Sequence, residues 1–359
     1  MSKKVVVGMS GGVDSSVCAW LLKEQGYDVT GATMEIWQDN PEKTEKEGGC
    51  CGLSAVDDAR RVAECLDIPY YVMNFRETFK EKVIDEFTAS YLKGVTPNPC
   101  ILCNRFVKWE AFLARCMEIG ADYIATGHYA QVVKLENGRY TIKKAVSRSK
   151  DQSYVLYSLS QFELAHTLMP VGTYEKPEIR GIAEKTGLPV AHKKDSQDIC
   201  FIEDGDYAGF IEKETGSHGT DGVFKDLRGN VLGKHSGTAR YTIGQRKGLD
   251  IALGHRAYVC DIDAESGDVL LGSNEDLFTT EVYAADINYM GEENFDENEL
   301  YTAKIRYSQE NVPVRVKYVS KDVICLTFEK PVRAATPGQA AVVYKDDWIV
   351  GGGTIIKRR

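Results

Sequence analysis

No apolar run in these 359 residues approaches the roughly 18 to 20 that a membrane-crossing helix needs. The opening Met1-Ser2-Lys3-Lys4 leads into a strand-like run and not a signal peptide, so the expectation is a cytoplasmic protein with no membrane partner. Internal repeats and low-complexity tracts are missing, which excludes solenoid and fibrous architectures. Cysteine is too thin for a disulfide scaffold. Ten are spread along the chain, and the close pairs Cys50-Cys51 and Cys100-x-x-Cys103 read as reactive or metal-binding thiols in a reducing compartment. From Ala257 to Ala303 there is no Lys or Arg against thirteen acidic residues. Without that stretch the formal net charge of −9 becomes positive, so a polyanion can still bind if the acidic segment faces away from it.

What is present is 43% apolar residues, enough for two or three domains with real cores. Up to about residue 204, short apolar runs alternate with segments of helical period, the signature of βαβ units and a parallel sheet. Strands are expected at 4–9, 28–36, 70–74 and 122–127, and helices at 15–25, 54–66, 77–92 and 106–119. Loops are expected at 39–52 and at 94–105, where Pro97 and Pro99 oppose both helix and central strand. From 205 glycine turns recur, and beyond 281 the runs alternate or are β-branched. The expected class is α/β: a parallel-sheet catalytic domain at 1–204, a small β-rich domain at 205–280 and an antiparallel β-barrel at 281–359.

The first strand runs out into Gly8-Met9-Ser10-Gly11-Gly12-Val13-Asp14-Ser15-Ser16, directly before a helix. Such a loop offers backbone N–H groups, hydroxyls and a helix N-terminus to an anion, and adjacent glycines let a phosphate come close. The lysine of a Walker loop is missing, and the glycine spacing is not that of a dinucleotide fold. A bare helix-capping turn is the plainer alternative. Asp14 serves either a metal ion or the helix dipole.

Ser10-Gly-Gly-Val-Asp-Ser15 resembles the pyrophosphate loop of the ATP pyrophosphatases. Thr96-Pro-Asn-Pro-Cys-Ile-Leu-Cys-Asn104, Ala125-Thr-Gly-His-Tyr129, Lys150-Asp-Gln-Ser-Tyr154, Asp195-Ser-Gln-Asp-Ile-Cys-Phe201 and Tyr241-Thr-Ile-Gly-Gln-Arg-Lys-Gly248 narrow the likeness. In that order they resemble the bacterial tRNA-specific 2-thiouridylases. The resemblance implies an adenine-nucleotide-hydrolase-like first domain in which Gly8, Met9, Ser10, Gly11, Gly12, Val13, Asp14, Ser15, Met34 and Gly127 hold ATP, with Mg²⁺ at the departing pyrophosphate. It implies adenylation of the wobble uridine at O2 in tRNAs with Lys, Glu or Gln anticodons, then replacement of AMP by sulfur. A ligase adenylating a small molecule with the same loop is the alternative, and a non-catalytic RNA-binding protein is a third reading that the intact loop opposes.

In the 94–105 loop, Cys100 and Cys103 are expected to be exposed and reactive. Cys200, within Asp198-Ile-Cys-Phe-Ile202, reads by itself as a core residue. The resemblance reverses this: the position of Cys200 takes up a persulfide sulfur, and that of Cys103 reacts with it on the way to the activated base. Where many family members carry an Asp that assists near the uridine, this chain has Cys100. The catalytic set Cys100, Cys103 and Cys200 also resembles the iron–sulfur tRNA thiolases, in which three thiolates hold a [4Fe–4S] cluster. Cluster and persulfide pair stand as alternatives, with a zinc site on Cys50, Cys51, Cys100 and Cys103 as a third. The sulfur donor is a cysteine desulfurase, a relay protein or sulfide. Cys18, Cys65, Cys116, Cys260 and Cys325 sit among apolar periodic residues and read as core.

Basic residues beside aromatics are the expected footprint of RNA. Lys143-Lys144, Arg148, His192-Lys193-Lys194, Arg240-Tyr241, Arg246-Lys247 and Lys357-Arg358-Arg359 are candidates. The resemblance singles out His128, Lys150, Asp151, Gln152, Arg306, Tyr307 and Gln339 as tRNA-contacting positions.

Overall fold

The computed structural model describes residues 2–36, 53–195, 199–202 and 205–358. The expected loop 39–52, with Cys50 and Cys51, and residues Ser196 to Asp198 lie outside them. The chain forms two compact units, one of Met1–Val83, Cys100–Glu203 and Asp347–Ile349, the other of Ile84–Pro99, Asp204–Asp346 and Val350–Arg359.

In the first unit, β1 (Lys4–Gly8), β2 (Asp28–Glu35), β3 (Tyr70–Asn74), β4 (Tyr123–Thr126) and a later strand at Thr167–Leu168 form a parallel sheet. The order is β3-β2-β1-β4 with Thr167–Leu168 at the far edge. Val5, Val6 and Val7 are all buried because β1 has a strand on either side and both of its faces are covered. Strand order reverses between β1 and β4, so the loops leaving them open a crevice at the carboxyl end of the sheet. The helix α1 (Val13–Glu24) stops where Gly26 takes φ +84°, a conformation glycine reaches without strain. Its Val17 and Leu21 share a core with Ile179 and Ala183 of the helix Lys176–Lys185. That helix opens with Pro177 and a capping box between Glu175 and Glu178, signals the periodicity reading passed over. A hairpin of β5 (Ala130–Lys134) and β6 (Tyr140–Lys144) was also missed, although Asn137-Gly138 marks its turn; Thr167–Leu168 is therefore β7.

The expected 94–105 loop is only partly a loop. Pro99–Leu102 is an α-helical turn that runs into π-helical Cys103–Phe112, with Pro99 at the first position, where a missing N–H costs nothing. The expected helix at 77–92 is likewise continued through a π-helical stretch, Lys80–Asp85.

The second unit stacks helix Glu86–Leu92 on helix Tyr207–Thr215, with the rings of Tyr91 and Tyr207 5.0 Å apart. Its small sheet is β8 (Gly222–Asp226), β9 (Val231–His235), β10 (Tyr258–Asp263) and β11 (Asp268–Gly272), in the order β10-β11-β8-β9. The remainder is β12 (Phe278–Tyr289), β13 (Tyr301–Lys304), β14 (Val312–Ser320), β15 (Val323–Arg333), β16 (Ala340–Lys345) and β17 (Trp348–Arg358). They run β12-β15-β14-β13-β16-β17, and β12 pairs with β17 to close an antiparallel barrel. The expected alternation is visible in β14, where Val314 and Val316 are buried and Arg315 and Lys317 exposed. None of the thirteen acidic residues between 257 and 303 is buried, so that segment faces solvent. Among the described residues no helix is long and apolar enough to cross a membrane.

Candidate active site

At the carboxyl end of β1 the glycine loop folds on its own hydrogen bonds. The Ser10 amide donates to Ser15 Oγ (3.1 Å), and the Ser16 hydroxyl donates to the Gly12 carbonyl (2.8 Å). Gly11 has φ +67°, and a Cβ there would stand 2.3 Å from the Ala55 carbonyl oxygen of α2 (Leu53–Cys65), so only glycine fits. Gly127, leaving β4, approaches the first turn of α1 so closely that a Cβ would lie 2.6 Å from the Ser15 nitrogen. The Met34 methyl would stand 3.3 Å from a Cβ at Gly8. The structure thus brings the loop residues, Met34 and Gly127 to one crevice, with α1 directing its N-terminal amides into it.

Asp14 does not point to an empty site. Its Oδ1 accepts from the Tyr129 hydroxyl (2.8 Å) and from Lys176 Nζ (2.7 Å), and its Oδ2 from the same ammonium (2.9 Å). Lys176 also lies 2.9 Å from Asp195, which Lys150 and Arg180 each meet at 2.8 Å. Burial opposes ionisation of Asp195, but the hydrogen bonds from Lys150 and Lys176 outweigh it and hold its carboxyl at about 2. Lys176 and Arg180 reach Asp195 together because they are one helical turn apart. Lys193 reaches the other side of the loop, donating to the Gly11 carbonyl (3.2 Å) and to Asp58 (2.7 Å). Sequence reasoning missed Lys176, Arg180 and Tyr129 and placed Lys193 in an RNA-facing cluster. The contacts of Tyr129 and Lys176 with Asp14 and of Lys193 with Gly11 and Asp58 each span more than a hundred residues and leave no local signal.

Cys200 is exposed while its neighbours Phe201 and Ile202 are buried, so the chain anchors the segment and presents the thiol. Cys100 is exposed on the helical turn that replaces the expected loop, whereas Cys103, which opens the π-helical stretch, is half-buried and not exposed as expected, because the helix turns it partly inward. Cys18, Cys116, Cys260 and Cys325 are buried as expected, and burial pushes the Cys116 thiol up to about 12. Cys65 corrects the core reading: it ends α2 on the solvent side and is exposed.

Three family models cover the chain in succession: a tRNA methyl transferase HUP domain at residues 3–204, a tRNA methyl transferase PRC-barrel domain at 208–273 and an aminomethyltransferase beta-barrel domain at 279–355. The tRNA-specific 2-thiouridylase MnmA of Lachnoclostridium phytofermentans is 59% identical over 356 residues, 99% of this chain and 100% of its own. That of Clostridioides difficile is 52% identical over 358 residues, 99% of each. The chain belongs to the tRNA-specific 2-thiouridylase family. A solved 4-thiouridine synthetase–RNA complex with bound ATP matches 55% of this chain and 45% of its own at 18% identity and a TM-score of 0.33, too weak a likeness to carry an argument.

Within this thiouridylase fold the expected tRNA-contacting side chains have structural partners. His128 is buried, its Nδ1 2.7 Å from Thr126 Oγ1 and its ring 5.6 Å from that of Trp109. Burial, and then the Lys108 ammonium, hold it well below the usual histidine range, so it is neutral. Asp151 accepts from the Ala145 amide (2.9 Å) and the Ser153 hydroxyl (2.7 Å), and Gln152 accepts from the Tyr129 amide (2.9 Å). In the second unit, Arg306 donates to the carbonyls of Ile243 (2.8 Å) and Ala334 (3.0 Å). Gln339 donates to those of Thr96 (3.0 Å) and Pro97 (3.1 Å). Tyr307 is 43% exposed, with the Lys304 ammonium 5.7 Å from the centre of its ring.

The metal expectations fit less well. Both Asp14 oxygens are taken by Lys176, so the loop offers no ready carboxylate to Mg²⁺. Among the described residues no group of three His, Cys, Asp or Glu side chains is placed to hold a metal ion, so Cys100, Cys103 and Cys200 do not form a three-thiolate nest for a [4Fe–4S] cluster.

Proposed function

We propose that this chain uses ATP to replace O2 of the wobble uridine by sulfur in tRNAs with Lys, Glu or Gln anticodons. The similarity to named 2-thiouridylases over the whole length of both chains carries the reading. The small-molecule ligase alternative has no such support.

In this reading the crevice between β1 and β4 binds the triphosphate, and Met34 and Gly127 flank the nucleotide. Uridine O2 attacks the α-phosphorus, an O–P bond forms, and the bond to the β-phosphate breaks. The N-terminal amides of α1 stabilise charge gathering on the leaving pyrophosphate. Cys200, loaded with a sulfane sulfur by a cysteine desulfurase or a relay protein, or by sulfide attacking the Cys103–Cys200 disulfide left by the previous turnover with release of the Cys103 thiolate, then attacks C2 through its terminal sulfur. A C–S bond forms, the C–O bond breaks and AMP leaves. Cys103 attacks the Cys200 sulfur, which releases 2-thiouridine and leaves a Cys103–Cys200 disulfide for a thiol reductant to reopen. The same reading keeps Lys150, Asp151, Gln152, His128, Arg306, Tyr307 and Gln339 along the tRNA path, some as supports of the surface. It divides the chain at 1–204, 205–280 and 281–359 and places it in the cytoplasm.

The test is nucleoside mass spectrometry of unmodified tRNA with a U-starting Glu anticodon after incubation with the protein, ATP, Mg²⁺, cysteine, a cysteine desulfurase and a thiol reductant. Formation of 2-thiouridine that requires ATP supports the reading, and its absence with AMP release on a small molecule supports the ligase.

A further inference from the structure

We infer that Lys176 and Lys193 are catalytic residues of the adenylation step: delivered from far along the chain to the two ends of the nucleotide loop, their ammonium groups meet the departing pyrophosphate. The inference rests on the proposed binding of ATP in that loop.

The loop at 8–15 carries no Lys or Arg, and the lysine of a Walker loop is missing from it. The fold supplies two. Lys193 donates to the Gly11 carbonyl (3.2 Å), and Lys176 lies 2.7 Å from Asp14 in the first turn of α1. The stretch 11–14 that opens α1 is thus bracketed by an ammonium at either end.

Both cations are placed by the fold. Lys176 opens a helix that packs on α1 through Ile179 and Ala183, and its ammonium lies 5.5 Å from the centre of the Tyr129 ring. Asp14, with both oxygens on that ammonium, holds it beside α1. Asp58 of α2 braces Lys193 from the other side (2.7 Å). Neither lysine is locked where it stands, because an ammonium on a flexible stem can follow a nearby charge. Asp195, the second partner of Lys176, is also met at 2.8 Å by Lys150 and by Arg180, so it stays neutralised when Lys176 turns to a phosphate.

In the adenylation step uridine O2 bonds to the α-phosphorus while the bond to the bridging oxygen breaks, and that oxygen keeps the electron pair. The uridine N3 proton passes to water, and both ammonium groups keep theirs. Charge therefore grows on the pyrophosphate between two cations already in place, in a partly desolvated site where charges act strongly. The AMP moiety lies toward Gly8 and Met34, outside the bracket, so its affinity depends on neither lysine.

The experiment is calorimetry of the full chain with Mg²⁺, titrated in turn with ATP, AMP and inorganic pyrophosphate, beside single-turnover pyrophosphate release on mixing ATP with unmodified tRNA. Lys176→Met and Lys193→Met should each weaken pyrophosphate binding at least tenfold and leave AMP binding within twofold. At saturating ATP each should slow pyrophosphate release at least thirtyfold, whereas Lys176→Arg and Lys193→Arg should stay within fivefold of the wild type. The Lys193 side chain is 33% exposed, so its variants serve if Lys176→Met does not fold. Pyrophosphate affinity unchanged in either Met variant, AMP affinity that falls in parallel with it, or a wild type that binds ATP but not pyrophosphate overturns the inference. Failure of the wild type to bind ATP overturns the reading of the loop instead.

Discussion

A Cβ on Gly127 would stand 2.6 Å from the amide nitrogen of Ser15. The turn after β4 and the first turn of α1 meet through the absence of a side chain, and that contact sets how the N-terminal amides face the crevice. Gly127→Ala should push α1 away and weaken ATP binding at least tenfold by calorimetry. Gly181→Ala, where a Cβ meets nothing within 4 Å, should leave it unchanged.

The thiols are separable from the nucleotide site. Cys103→Ala and Cys200→Ala should each lower 2-thiouridine formation by about a hundredfold while the ATP dissociation constant stays within twofold; activity surviving in either removes that residue from the mechanism. Because no three-ligand group is formed among the described residues, Cys100→Asp should keep at least a third of the activity, and its complete loss would reinstate a cluster.

Arg306 and Gln339 should prove to be supports of the second unit. Arg306→Ala strips a part-buried guanidinium from two backbone carbonyls and should reduce stability by about 2 kcal/mol in denaturant titration. A tRNA-binding defect with unchanged stability would show that the side chain works chiefly on the ligand.

His128 gives the stability a pH dependence of known sign. Burial, and after it Lys108, keep its folded pKa well below the value of about 6.5 that it has in an unfolded chain. Between those values the unfolded chain binds more protons, so stability is full above about 6.5 and is lost as pH falls toward the folded value. The thermal midpoint should therefore drop between pH 7 and pH 5, and His128→Asn should flatten the slope.

The glycine loop, the strands β1 to β4 and the barrel were legible because each carries a local pattern: Val5-Val6-Val7 for a strand buried on both faces, Gly26 for a helix stop, and alternation in Val312–Ser320. The turn at Cys100 was not, since Pro99 suppresses a helix anywhere except at its first position, which is where it stands. Nor was the environment of Asp14. The choice between metal ligand and dipole partner left out an ion pair with Lys176, 162 residues away, which no local window contains. Lys193 was read as surface charge for RNA because a basic cluster looks the same whether its partner is a phosphate or a distant carboxylate.

The loop at residues 8–15 is held in shape by its own serines and glycines. A nucleotide entering it therefore has little chain to order, and the entropy of fixing the binding surface is spent when the domain folds. Association should be fast, limited by encounter, and binding should show a small heat-capacity change, in contrast to a loop that folds around its ligand.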